Sequence, residues 1–385
     1  MKKIKQTFVI FISFKFTALI AYYIYISLPL NLLHFEHMTM EDIQFNDIFY
    51  STKTHDTSSY HKNITLINTG SIKNDSLFRY KLGLLINRIA KLKPKKIGLD
   101  LIFENPKNNK IDSFLKGSII DNKVVTILDF KNNKKNIFKS SNFGIANFPG
   151  KTDETQREYF NYIILNKDTV SSFASKLVDH KKGESVEYLN YTTSGKGFFN
   201  FLNQSEKIKP ENFPAIEGDY ILKENDLTEL EKIIRGKIII IGHLGNENME
   251  NEFDIEDKFR VPTDYQLFNR NLTMPGIVIH ANAAQMILNN NYFYKVEGWL
   301  QEILTDVILF IFLFIFLTVH HTYTLSKLIN ILIILASTIP IIFIFCIYFM
   351  NNGIYFKIGG LFMQIAFLEE FIDIADGFKK KFIKN

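Results

Sequence analysis

The sequence predicts an α/β extracytoplasmic domain with a largely parallel sheet, joined to four transmembrane α-helices, one N-terminal and three C-terminal. Three observations predict it. Strand-like and helix-like patterns alternate between residues 63 and 290, the mark of βαβ units. Apolar runs long enough for a bilayer lie before residue 30 and after residue 298. Lysines flank the first and last of these runs on their far sides.

The first run, Thr7 to Leu28, carries one charge, Lys15, and spans a bilayer by length. No small-x-small cleavage site follows it, so an uncleaved anchor is expected rather than a signal peptide. Lys2, Lys3 and Lys5 place the N-terminus in the cytoplasm. Three further runs, Ile303–Val319, Leu328–Met350 and Ile354–Ile372, give a chain that crosses four times. Lys379, Lys380, Lys381 and Lys384 place the C-terminus inside as well. The expected organisation is therefore a tail and anchor at 1–29, an extracytoplasmic domain at 30–298, three helices at 299–373 and a basic tail at 374–385. Asp306 and Lys357 fall at similar depth by this topology. Either they pair between the second and fourth spans, or Lys357 snorkels to the headgroups and Asp306 marks a late helix start.

Within the domain, Asn63–Asn68 reads as a strand closed by the turn Thr69-Gly70-Ser71. Ser76–Leu92 has apolar residues at Leu77, Tyr80, Leu84, Leu85, Ile89 and Leu92, which is helical spacing, and Pro94 ends it. "KKIGLDLIFENP" then reads as a strand, completing a βαβ unit. Asn122–Phe130, "NFGIANFPG" and "FNYIILN" add strands, with a helix at Thr169–Val178. "DLTELEKIIRGKIIIIG" predicts a short helix and a strand, with Asp226 and Glu229 as a capping box and Gly236 closing the helix. "MPGIVIHANAAQMILNN" predicts a strand and then a helix over Ala281–Asn290.

Composition narrows the function. A net charge of +5 on 385 residues leaves no nucleic-acid footprint. The single cysteine, Cys346, cannot form a disulfide within the chain. No GxSxG, HExxH, P-loop or GxGxxG motif is present, and no spacing matches a tetrahedral zinc site. No catalytic residue, metal or cofactor is assigned, and the protein is not expected to be an enzyme. The acidic stretch Asn246–Asp264 lacks the EF-hand pattern and reads as a solvated loop, as does Lys131–Asn136.

Ligands of open parallel sheets bind outside the carboxyl ends of the strands. Asn68, Thr69, Asp100, His243, His280 and Asn282 all fall at or near expected strand ends, so together they form the candidate ligand site. Each also has a structural reading. Asp100 could bond a nearby backbone N–H, His243 could be a loop residue, and His280 with Asn282 could satisfy the open end of the Ala281–Asn290 helix.

These residues carry a family resemblance. "RGKIIIIGHLGN", an acidic loop with Pro262, and "MPGIVIHANAAQMIL" resemble the C-terminal half of a CHASE2 domain. "ITLINTG", a helix and "KPKKIGLDLIFENP" resemble its N-terminal half, and the resemblance extends over about residues 30–372. It implies an extracytoplasmic sensory module of a bacterial receptor, of the kind that usually precedes a kinase or nucleotide-cyclase domain. Here the chain stops about a dozen residues after the last expected span. The expectation is thus a multi-pass cell-membrane sensor without its own output domain. It would take an unidentified small-molecule ligand and relay to a cytoplasmic or membrane signalling partner. A second copy of the chain is a further expected partner and nucleic acid is not. The alternatives are a structural or scaffolding membrane subunit and a solute-binding component of a transport assembly.

Overall fold

The computed structural model describes residues 4, 7–12, 15, 47, 50, 62–70, 72, 76–131, 136–138, 140–150, 154–165, 167–180, 183–191, 213–244, 258–264, 274–322 and 347–356. The chain divides into two compact units, Tyr50–Phe293 on one side and Met1–Phe49 with Tyr294–Asn385 on the other. Each is described by itself.

The Tyr50–Phe293 unit begins β1 (Ile64–Asn68), α1 (Phe78–Lys91), β2 (Lys96–Leu99), α2 (Asn109–Asp121), β3 (Val125–Leu128), β4 (Phe143–Ile145). An excursion follows: β5 (Glu158–Phe160), β6 (Tyr162–Leu165), β7 (Asp168–Ser171), α3 (Phe173–Val178) and β8 (Val186–Tyr188). The chain returns through β9 (Ala215–Glu217), α4 (Gly218–Lys223), α5 (Thr228–Ile234) and β10 (Ile238–Gly242). It closes with β11 (Lys258–Phe259), β12 (Met274–Pro275) and α6 (Gly276–Leu288). Six strands form one sheet in the order β4-β3-β2-β10-β1-β9, and every pairing in it is parallel. β1 and β10 are buried at every residue. Strands buried on both faces need cover on each, and helices supply it.

Alternation along the strands sends Ile67, Leu99, Ile239 and Ile241 to one face. There they pack with Leu82, Leu85, Ile86 and Ile89 of α1, Leu115 and Ile119 of α2, Ile221 of α4 and Ile234 of α5. The opposite face carries α3 and α6. Glycines on that face let the helices come close. A Cβ on Gly144 would lie 2.5 Å from the Phe173 Cα, and one on Gly242 would lie 3.0 Å from the Ile277 Cδ1.

Local chemistry sets the boundaries. α1 ends at Leu92, and Lys93 turns the chain with φ 56° ahead of Pro94. Residues 109–121, unassigned from sequence, form α2, and the Asn108 side chain accepts the Lys110 and Ile111 N–H groups as its N-cap. Gly236 has φ 72°, as a residue closing α5 requires.

Several expectations are corrected. The helix expected from Thr169 starts at Phe173 with Ser172 as cap. Asp168–Ser171 instead pairs with β6 as a hairpin, because its β-branched residues follow a turn at Lys167, φ 75°. The Asp226–Glu229 capping box does not form: Asp226 Oδ1 accepts from the N–H and Oγ1 of Thr228, and Glu229 pairs with Lys232. Asn136 is buried, donating to the carbonyls of Leu101 and Ile127 at 3.2 and 3.3 Å; residues 132–135 lie outside the described residues, as do 246–257 of the acidic stretch.

The largest correction concerns α6. Its helix begins at Gly276, so His280 and Asn282 sit within it and cap nothing. Asn282 donates to the Val278 carbonyl one turn earlier, at 2.9 Å. Every residue from Gly276 to Ile287 is buried. A helix that is apolar all round shows no amphipathic stripe, so "GIVI" is indistinguishable from a buried strand by pattern.

In the other unit, residues 7–12 are helical, and α7 runs 25 residues from Gly298 to Thr322. Its side chains are described as far as residue 314. Among the described residues no helix is long and apolar enough to cross a membrane. The run expected as a fourth span opens with β14 (Ile354–Tyr355), which pairs in parallel with β13 (Tyr294–Lys295). Asp306 forms an ion pair with Lys15. Lys357, the partner considered for it, lies outside the described residues, as do Cys346 and most of the first, third and fourth apolar runs.

Candidate functional site

Three adjacent strands end level with one another. Asn68 of β1 lies opposite Gly242 of β10. Leu99 of β2 lies opposite Ile241, and the next residue, Asp100, donates its N–H to the Ile241 carbonyl at 2.8 Å. β1 and β2 both lead into helices on one face of the sheet, α1 and α2. β10, between them, leads towards α6 on the other. Neighbouring strands whose connections leave on opposite faces open a crevice at their carboxyl ends, where ligands of such sheets bind. In this sheet the change of face falls at Gly242, beside Asn68 and Asp100, and Ile277 of α6 packs against it, 3.0 Å from where a Gly242 Cβ would lie.

α6 brings His280 to this place. Its Nε2 lies 3.9 Å from Asp100 Oδ1, and each of the two side chains is 6% exposed. That distance is too long for a direct hydrogen bond. The imidazole stacks on Phe148 with ring centroids 4.9 Å apart and meets Phe173 edge-on at 5.1 Å. Burial in this aromatic setting pushes its pKa down to about 3, so it is neutral at physiological pH. The site thus sets a carboxyl group beside a neutral imidazole.

The other candidates divide cleanly. Asn68 acts as a latch: its Nδ2 donates to both Glu217 carboxylate oxygens at 3.0 and 3.1 Å, and its Oδ1 accepts from the N–H groups of Gly70 and Leu244. Thr69 gives its N–H and its Oγ1 to the Gly242 carbonyl, at 2.8 and 3.0 Å. Both stitch β1, β9 and β10 together at the crevice floor. His243, half-buried, follows Gly242 at the strand end. Asn282 is two residues beyond His280, about 200° around the helix, and does not share its face.

Sequence reasoning missed the residues that hold His280. Phe148 is carried by a loop that Lys131 fastens, donating to the carbonyls of Phe148 and Gly150. Asp129 accepts from Asn147 at 2.7 Å and fixes the same loop. One signal was readable: "VTILD" ends in an aspartate just after a strand, as "KIGLD" does. The aromatic walls had none, since Phe148 and Phe173 come from a segment whose path sequence periodicity does not set.

A second polar network lies on the α1 side of the sheet. Arg79, buried, donates to Asp112 and to the Asn105 carbonyl, each at 2.7 Å, with Phe103 and Phe138 5.0 and 5.4 Å from its guanidinium carbon. Burial raises the pKa of Asp112, but the Arg79 hydrogen bond, the Lys107 and Asn108 amides and the Arg79 charge outweigh it, so the net shift is downward. Its bonds tie the loop after β2 to α1 and α2, as a fastening does. Among the described residues no group of three or more His, Cys, Asp or Glu side chains could hold a metal ion.

A family model, that of the CHASE2 domain, matches residues 19–319. No curated protein matches the chain, and no solved structure does.

Proposed function

Since the chain belongs to the CHASE2 family, a family of extracytoplasmic sensory domains, we propose that it is a membrane-anchored sensor whose signal-binding site is the crevice at the end of β10. The observation that carries this reading is the convergence of Asp100 and His280 at the point where β10 leaves the sheet on the opposite face from its neighbours. A carboxyl group and a neutral imidazole 3.9 Å apart suit a ligand atom able to hydrogen-bond to both, such as a hydroxyl or an amine. His243 lies at the mouth; Asn68 and Thr69 hold its floor; Asn282 supports α6. No step of bond-making chemistry is assigned.

The membrane part of the reading has its own support. The apolar runs and their flanking lysines support a four-span chain with both termini inside. On α7, Trp299, Ile303, Val307 and Ile311 are at least half exposed, as are Ile4, Phe8, Val9 and Ile12 of the N-terminal segment. Faces of this kind are covered in a functional protein, and hydrocarbon is the cover that suits them. The signal would pass through these helices to a separate cytoplasmic or membrane partner.

Native mass spectrometry of the full chain in lipid nanodiscs tests the site. A small molecule should accompany the wild-type protein and be lost from Asp100→Asn and His280→Leu variants that fold normally. Equal retention by the variants, or none by the wild type, would favour a scaffolding role over sensing.

A further inference from the structure

We propose that Lys15 and Asp306 form an ion pair inside the bilayer that fixes the register of the first membrane helix against α7, an inference that rests on the membrane reading above. Lys15 is the only charge between Thr7 and Leu28, and Asp306 the only charge between Ile303 and Val319. The structure joins these two side chains.

A second contact fixes the direction. One turn before Lys15, the Phe11 ring meets the Phe310 ring edge-on at 5.8 Å, and Phe310 is one turn after Asp306. Four residues back along the first segment match four forward along α7, so the two run antiparallel. The topology read from the lysines demands the same sense, with the first helix leaving the cytoplasm and α7 returning to it.

The buried neighbours place the charges at the edge of the seam, their own side chains being 33% and 40% exposed. Lys15, Phe11 and Thr7 share one side of their helix at spacings of four, and Thr7 is 1% exposed. Asp306, Leu309 and Leu313 share one side of α7, and both leucines are nearly fully buried. Phe8, Ile12, Ile303, Val307 and Ile311 point away and are exposed. The Lys15 ammonium also lies 5.8 Å from the centre of the Phe11 ring.

The chemistry makes this contact a register pin. A lone charge in hydrocarbon is costly and seeks a partner within the bundle. Sliding either helix by one turn, about 5.4 Å, would part the pair. A displacement of α7 therefore carries the first helix with it, and the N-terminus moves with the segment that leaves the sensory unit.

Charge exchange in the full chain tests the pin. Lys15→Met and Asp306→Asn should each lower the melting temperature in detergent, and the exchange of Lys15→Asp with Asp306→Lys should recover most of the loss. In a Cys346→Ser background, a short bis-maleimide should join Phe11→Cys to Phe310→Cys, with a yield that falls several-fold when Lys15→Met is added. An exchange variant no better than the single changes, or a cross-link indifferent to Lys15→Met, would overturn the pin. Alkaline carbonate extraction separates the two readings. A chain that stays with the membrane while the exchange fails refutes the pin alone. A chain released into solution refutes its placement in the bilayer, whatever the cross-link shows.

Discussion

His280 concentrates the physics of the site in one side chain. An imidazole held neutral by burial binds its proton later, on acidification, than the same group in the unfolded chain. Its folded pKa of about 3 lies below the ordinary 6.5, so the unfolded chain takes up the extra proton between those values. The stabilisation is complete above pH 6.5 and is lost as pH falls towards 3, by about 1.4 kcal/mol per pH unit. Acid titration of stability in the wild type and in His280→Leu should diverge over that window, with the variant flatter. Parallel curves would mean that His280 is not held neutral. The position of Asp100 near a strand end was legible in the sequence, although the strand was read through it to Pro106 and β2 stops at Leu99. The aromatic cage was not, because Phe148 and Phe173 reach His280 through long-range packing that no local pattern encodes.

At the scale of elements, helix ends with a polar cap carry a measurable share of stability. The Asn108 side chain caps the N-terminus of α2 and accepts two backbone N–H groups. Asn108→Ala should cost about 1 kcal/mol, read by denaturant unfolding, and no loss would show that solvent serves those groups equally well. Asn282→Ala should leave helix termination untouched, since Asn282 lies six residues inside α6. Element order was readable wherever a strand met a strongly amphipathic helix, as in β1-α1-β2. The strand-then-helix order at α6 was read correctly but the helix start was not, because total burial removes the periodic signal; Asp168–Ser171 was missed because a turn at Lys167 converts an expected helix start into a strand. α2 had a readable cap and the spacing Ile111, Leu115, Ile119; that signal was present but unassigned.

For the whole molecule, the decisive measurement is which side of the membrane each segment faces. A reporter active only in the cytoplasm should work when fused after Asn385 and fail when inserted near Asn133. The opposite pattern would remove the membrane reading and, with it, the extracytoplasmic placement of the Asp100–His280 site. The short β13–β14 pair has a consequence for how the chain is made. Tyr294 pairs with Ile354, sixty positions later in the chain. At ~5–20 residues per second, a ribosome reaches Ile354 about 3–12 s after Tyr294. The sheet of the Tyr50–Phe293 unit is complete in sequence before that interval begins. Tyr294 is left waiting until two more apolar runs have been synthesised, so the β13–β14 join is among the last steps of assembly.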